Sequence, residues 1–352
     1  MESTSNPNAR ARLRNGVIAA AAILAVSLAV WTFGAVNAER DRARRLEEAI
    51  ELSAVASVLL HDLDRERSEA VYVTADPAAA KADFNARARN TDDAIATVVD
   101  GLAPAGGAKR LLGPQDPVAE HALSALERLD GLRAAVNARS LAPDETAARY
   151  TRVIDALIAD QGAMLARLSP ERPDIAHALI ALARLADRVG LERGLGCLGF
   201  AVHGMPPMLE TLLTSAHAEQ ALNRSRFVEH APPERAAMLR ATIARTETPE
   251  QARARTLLAA SARGAELDAS LHGAWSGSMR ELSADLSVLK NVYLRESLEG
   301  LVIRHRARAR ARLILGGGAT GGAVLLLLVA MAVFRKPKPG AGGASAASEG
   351  AA

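Results

Sequence analysis

A single cysteine, Cys197, occurs in the 352 residues, so no intramolecular disulfide can staple the fold and it must hold by packing alone. Aromatic residues make up only 3% of the chain, too few for a surface on which successive bases stack, and nucleic acid is not an expected partner. Catalytic signatures are missing as well. There is no phosphate-binding loop, no H-E-x-x-H pair, no G-x-S-x-G elbow and no kinase-like set of motifs. His61, His121, His177, His203, His217, His230, His272 and His305 are scattered, and none stands four residues from another as a helical zinc pair would. No metal, no cofactor and no enzymatic activity are therefore expected.

Two uncharged runs stand out against this background. From Asn15 to Ala38 the chain carries no charge, and GVIAAAAILAVSLAVWTFGAV is long enough to cross roughly 30 Å of hydrocarbon as a helix. A signal peptide is the competing reading, but its apolar region would be about 7 to 15 residues. The second run, LILGGGATGGAVLLLLVAMAVF from Leu313 to Phe334, is bracketed by Arg312 and Arg335 and reads as a second span. Gly317 and Gly321, like Gly318 and Gly322, have the spacing that lets membrane helices approach closely, with the first span or a second copy of the chain as partner. The alternative is that glycine is simply common in such helices.

Arginines flank both spans on both sides, so charge does not decide orientation. Arg10, Arg12 and Arg14 before the first span and Arg335, Lys336 and Lys338 after the second favour cytoplasmic ends. Arg40, Arg42, Arg44 and Arg45, with the alternating arginines from Arg304 to Arg312, favour the opposite, although the positive-inside rule weakens for a long intervening segment. The net charge of +3 resides largely in these arginines and suits anionic lipid headgroups.

Between the spans, Ala, Leu, Arg and Glu recur at helical spacing without alternating strand pattern, which predicts an all-α domain. Proline marks the joints, because it is tolerated in a helix's first turn and breaks its interior. About eight helices are expected, near 37–74, 77–101, 117–139, 143–168, 171–203, 207–229, 233–261 and 265–312, with a Gly/Pro-rich loop near 102–116. The first and last are expected to run on into the spans. Met279, Leu282, Leu286, Leu289 and Tyr293 follow a 3-4-3-4 spacing, a helix-bundle core or coiled-coil seam. Eight such helices would pack as two four-helix bundles in series.

Two segments of this domain echo each other, Leu63-Asp64-Arg65-Glu66-Arg67-Ser68-Glu69-Ala70-Val71-Tyr72 and Val189-Gly190-Leu191-Glu192-Arg193-Gly194-Leu195-Gly196. On a helix, Arg67 shares its face with Leu60, Leu63 and Val71, and Arg193 with Ala186, Val189 and Cys197. Both arginines thus point along apolar stripes, where an unpaired cation costs several kcal/mol or more. An internal carboxylate, or snorkelling to the surface, would answer that cost. So would a small planar anion held between two guanidiniums, whose fork geometry suits oxygen pairs. Glu66 and Glu192 are read chiefly as salt-bridge partners.

With these residues the sequence resembles the nitrate- and nitrite-sensing domain of bacterial receptors and transcription regulators. Glu66-Arg67, Glu192-Arg193-Gly194 and the tryptophan-containing LHGAWSGSMRELSADL carry the resemblance, which covers most of residues 40–310. The family's first motif continues with Gly after Arg, where this chain has Ser68. The resemblance implies paired four-helix bundles outside the cytoplasm, with nitrate or nitrite bound between helices by Arg67 and Arg193. At roughly 1.5 to 3 kcal/mol per charge-assisted contact, two arginines would give millimolar to tens-of-micromolar binding.

The expected organisation is therefore a cytoplasmic N-terminus over 1–15, a span over 16–36, an extracytoplasmic helical sensing domain over 37–312, a span over 313–334 and a disordered cytoplasmic tail over 335–352. The chain is expected in the cell membrane as a homodimer. Its tail is too short to bury a core, so output is expected from a separate signalling protein such as a histidine kinase. The competing function is a helical membrane scaffold that contacts proteins without sensing.

Overall fold

The computed structural model describes residues 7–102, 117–261, 266–268 and 270–333. The expected Gly/Pro-rich loop, apart from its first residue, and the expected tail lie outside them. Nine helices and no strand occur among the described residues: α1 Pro7–Ala75, α2 Lys81–Leu102, α3 Pro117–Asn137, α4 Pro143–Leu168, α5 Pro173–Ala201, α6 Pro207–His230, α7 Pro233–Thr246, α8 Pro249–Ser261 and α9 Leu271–Val333.

Six consecutive helices, α3 to α8, begin on proline. The ring presets the helical φ and removes an N–H that the first turn could not pair anyway. Acidic residues follow in each of those first turns, among them Asp174, Glu210, Glu234 and Glu250, where they complement the helix dipole. The stretch 233–261, expected as one helix, is two: α7 ends at Thr246 and α8 starts at Pro249, whose missing N–H and ring clash stop the preceding helix. After α1, Asp76 accepts a hydrogen bond from the Ala78 backbone N–H, and this side-chain turn delays α2 to Lys81.

By internal contacts the chain forms two units, residues 42–304 and the paired ends 1–41 with 305–352. The larger unit holds two apolar cores. One is built from α1 to α4 around Leu59, Leu63, Phe84, Leu129, Val136, Tyr150, Ile154 and Ile158. The other is built mainly from α5, α6, the broken pair α7 and α8, and α9, around Leu182, Leu195, Leu209, Phe227, Leu239, Leu258 and Trp275. Each core thus has four helical rods around it, the two-bundle architecture expected from helix count and length. Met279, Leu282, Leu286, Leu289 and Tyr293 are all buried in the second core. Cys197 is half-buried there, and burial pushes its thiol up, which keeps it protonated and unreactive.

The smaller unit contains two helical stretches long and apolar enough to cross a membrane, with window mean hydropathies of 2.2 and 2.1. Large apolar side chains such as Leu24, Trp31, Phe33, Ile314, Leu315 and Leu326 are exposed along them. Their close approach uses a different glycine from the four-apart pairs. A Cβ on Gly316 would fall 2.2 Å from Thr32 Cγ2, whereas nothing lies within 4 Å of the corresponding positions at Gly317, Gly318, Gly321 and Gly322. Just beyond this contact Glu39 is buried, with His305 Nδ1 at 2.6 Å and the Arg312 guanidinium at 3.0 Å. The charge removed from solvent is thereby paired within the same unit.

Candidate functional site

The two echoing segments lie on α1 and α5, inside the larger unit. Glu66 has no exposed surface; Arg133 of α3 grips it through Nε at 2.8 Å and Nη2 at 2.9 Å, and Tyr150 of α4 donates its hydroxyl at 2.7 Å. Burial, together with the adjacent carboxylate, pushes the Tyr150 hydroxyl well up, so it remains a donor. Glu192 is equally buried and is held by Arg255 of α8, at 2.6 and 3.0 Å, and by Gln220 of α6 at 2.8 Å. His217 Nε2 lies 2.9 Å away as a charge neighbour. Burial acts to raise the Glu192 carboxyl, but His217 and Arg255 outweigh it and hold the group down at about 2.

While each glutamate is taken up by side chains of other helices, the arginine that follows it lies where α1 meets α5. Arg67 is 1% exposed. Its Nη2 donates to Asp64 Oδ1 at 2.8 Å and to the Asp187 carbonyl at 3.2 Å, and its Nη1 donates to Thr151 at 3.0 Å. Arg193 Nη2 donates to the other oxygen of the same carboxylate, Asp64 Oδ2, at 2.8 Å. One two-oxygen anion, supplied by the protein, therefore joins the two guanidiniums. The Nε atoms of both arginines are buried and without a hydrogen-bond partner. Burial lowers the Arg67 proton affinity, and Asp187 and Asp64 more than restore it, so the guanidinium stays charged.

Glycines on α5 make this meeting possible. A Cβ on Gly190 would fall 2.4 Å from Asp64 Oδ1, and one on Gly194 would fall 2.6 Å from Ser68 Oγ. Ser68 thus finds its room opposite a glycine, and its hydroxyl donates to the Asp64 carbonyl at 2.9 Å. On the other side of α5, Trp275 is fully buried over Gly196 and its indole N–H donates to the Arg193 carbonyl at 3.4 Å. The three segments that carry the resemblance converge here.

Behind Arg67 the network continues. Asp187 Oδ1 lies 3.0 Å from Arg67 Nη2, and Asp187 also pairs with Arg188, which in turn binds Asp155 at 2.8 Å and Glu219 at 2.6 Å. Asp64 stands three residues before Arg67, a spacing that puts both on one helical face and could have marked it beforehand. Arg133, Arg255 and Tyr150 carry no such signal, because each reaches the site from a helix other than α1 and α5.

No group of three or more histidine, cysteine or acidic side chains suited to a metal occurs among the described residues. Two cavities border the network. One, of about 180 Å³, is lined by His217, Gln220, Arg224 and Arg255 with Leu185 and Leu286. The other, of about 30 Å³, lies between α1, α4, α5 and α9 and is bounded by Asp64 and Asp187.

A family described as nitrate and nitrite sensing matches residues 58–293. Among solved structures, that of the NasR transcription antiterminator is similar, with a TM-score of 0.60, 18% identity and 84% of each chain covered; the likeness is one of fold. No curated protein matches the sequence significantly.

Proposed function

The chain belongs to the nitrate and nitrite sensing family, and on that footing we propose that it is a membrane-anchored sensor in which nitrate or nitrite is held between α1 and α5 by Arg67 and Arg193. The observation that carries this reading is the shared carboxylate of Asp64, bound at 2.8 Å by each guanidinium. Nitrate and nitrite present the same planar pair of oxygens, so a site that binds Asp64 in this way has the donors for either anion.

Occupancy is then a competition. An entering oxyanion takes donors from Asp64, and the freed carboxylate is repelled by the new charge in a site of low dielectric. The lowest-energy response is a displacement of α1 against α5, a shift between two packings that the anion biases by its differential affinity. Helices α1 and α9 each contribute residues to both units, so a displacement in the helical domain has a continuous path into the spans. In this reading the domain lies outside the cytoplasm, the chain works as a homodimer, and a separate signalling protein such as a histidine kinase receives the output.

A scaffold without ligand is the competing reading. It draws on the same geometry, since Asp64 and Asp187 already supply countercharge to the arginines.

Isothermal titration of the full-length protein in detergent with nitrate and nitrite separates the two. Saturable binding is expected at millimolar to tens-of-micromolar anion, and Arg67→Lys and Arg193→Lys, which keep charge without the fork, should weaken it by about tenfold or more. A well-folded protein that takes up neither anion at roughly tens of millimolar would leave the scaffold.

A further inference from the structure

Lys290, on α9, is 7% exposed and has no acidic partner among the described residues; burial alone pushes its ammonium down to about 8. Buried lysines without a counter-charge are costly, and nothing in the two carboxylate clamps or the arginine centre uses this one. It lines the smaller cavity, of about 30 Å³, together with Ser57, Asp64, Asp187, Ser283 and Ser287. A water needs roughly 10 to 15 Å³ by the same measure, so the space takes about two to three water-sized groups.

The wall has an uneven charge distribution. Asp64 and Asp187 are turned toward guanidiniums, with Arg67 and Arg193 on the first and Arg67 and Arg188 on the second. Lys290 is on this wall with no carboxylate partner among the described residues, and the Ser283 and Ser287 hydroxyls line the same cavity as neutral donors, while the Ser57 hydroxyl donates to the Ser53 carbonyl at 2.8 Å.

We propose that Lys290 is a cationic ligand that holds a small monovalent oxyanion in this cavity, against the Asp64 carboxylate that links Arg67 to Arg193. The proposal rests on the sensor reading and adds a residue and a selectivity to it. One ammonium and hydroxyl donors suit a single negative charge, and the two carboxylates on the wall penalise a doubly charged anion such as sulfate more. Because Asp64 belongs both to this wall and to the arginine link, an anion at Lys290 weakens that link by repulsion. It also brings α9, a helix that leads into a span, into the same binding event as α1 and α5.

The test uses the full-length protein in detergent, titrated with sodium nitrate, sodium nitrite and sodium sulfate beside Lys290→Met, with Lys290→Gln as a second, polar variant and Arg67→Lys as reference. Nitrate or nitrite affinity should fall by about tenfold or more in both Lys290 variants, sulfate should not bind, and in anion-free buffer Lys290→Met should melt higher than the parent because an unpaired buried charge is gone. Parent-like affinity in both variants, with binding still weakened in Arg67→Lys, overturns the role of Lys290 and leaves the sensor reading standing. A lower anion-free Tm in Lys290→Met overturns it as well, because it marks the lysine as a structural partner. Absence of nitrate and nitrite binding in the parent protein overturns both.

Discussion

Glu66 and Glu192 solve one problem with different partners. Each is fully buried, each is gripped by two nitrogens of an arginine from a distant helix, and each accepts a third hydrogen bond from a neutral donor. Their surroundings differ. The clamp on Glu66 is closed by Tyr150, a fully buried residue of the α1–α4 core. The partners of Glu192, namely Arg255, Gln220 and His217, form a wall of the 180 Å³ cavity, and Arg255 remains 27% exposed against 12% for Arg133. A buried carboxylate in a dry clamp has no substitute for a lost partner. In a clamp that opens on a cavity, water can take the vacant position.

The largest effect that would test this contrast is on stability. Glu66→Gln should cost about 3 to 5 kcal/mol, the usual result of breaking a buried ion pair, and Glu192→Gln about half as much. Urea unfolding followed by far-UV circular dichroism would read both, and equal losses would show that the cavity gives Arg255 no relief.

The second test is pH. The folded Glu192 carboxyl sits at about 2, below its ordinary 4.5. A depressed carboxylate contributes stability above its unfolded value, and the contribution fades as pH falls from about 4.5 toward 2. At about 1.4 kcal/mol per unit, the loss across that window is on the order of 3 kcal/mol. Stability against pH should therefore be flatter over this range in Glu192→Gln than in the parent, and parallel curves would mean that Glu192 titrates normally.

The smallest effect lies between the clamps. Gly190→Ala places a methyl against the Asp64 carboxylate and should cost about 1 to 3 kcal/mol through overpacking, while loosening the link from Asp64 to Arg193. Gly131→Ala, an exposed α3 position with nothing within 4 Å, should instead gain up to about 1 kcal/mol from helix propensity. Thermal melting of the two variants would show whether the centre is as tightly fitted as the clamps around it.

Much of the architecture was legible in the residue order. Proline marked the starts of α3, α4, α6 and α7 at the expected residues and that of α5 near its expected one, and hydropathy separated the two apolar runs from the amphipathic domain. The apolar stripes on which Arg67 and Arg193 lie predicted that both turn inward, and Arg67 is indeed almost wholly buried. The break at Pro249 was written in the same code, although the apolar pattern on either side of it reads as one helix. Glycine spacing in the second run pointed to Gly317, Gly318, Gly321 and Gly322, whereas the contact with Thr32 is made by Gly316. Spacing identifies smooth faces, and only the crossing of two helices selects one of them.

The arginine partners were not legible, because Arg133 and Arg255 look no different in sequence from the many arginines left in solvent. By itself the sequence determined helix, apolar run and joint, since propensity, hydropathy and proline geometry act over a few neighbouring residues. The tertiary structure decided which carboxylate meets which guanidinium, that Asp64 links Arg67 to Arg193, and that Lys290 is buried with no acidic partner among the described residues. Those outcomes depend on how closely helices from distant parts of the chain approach, and on whether their approach excludes water.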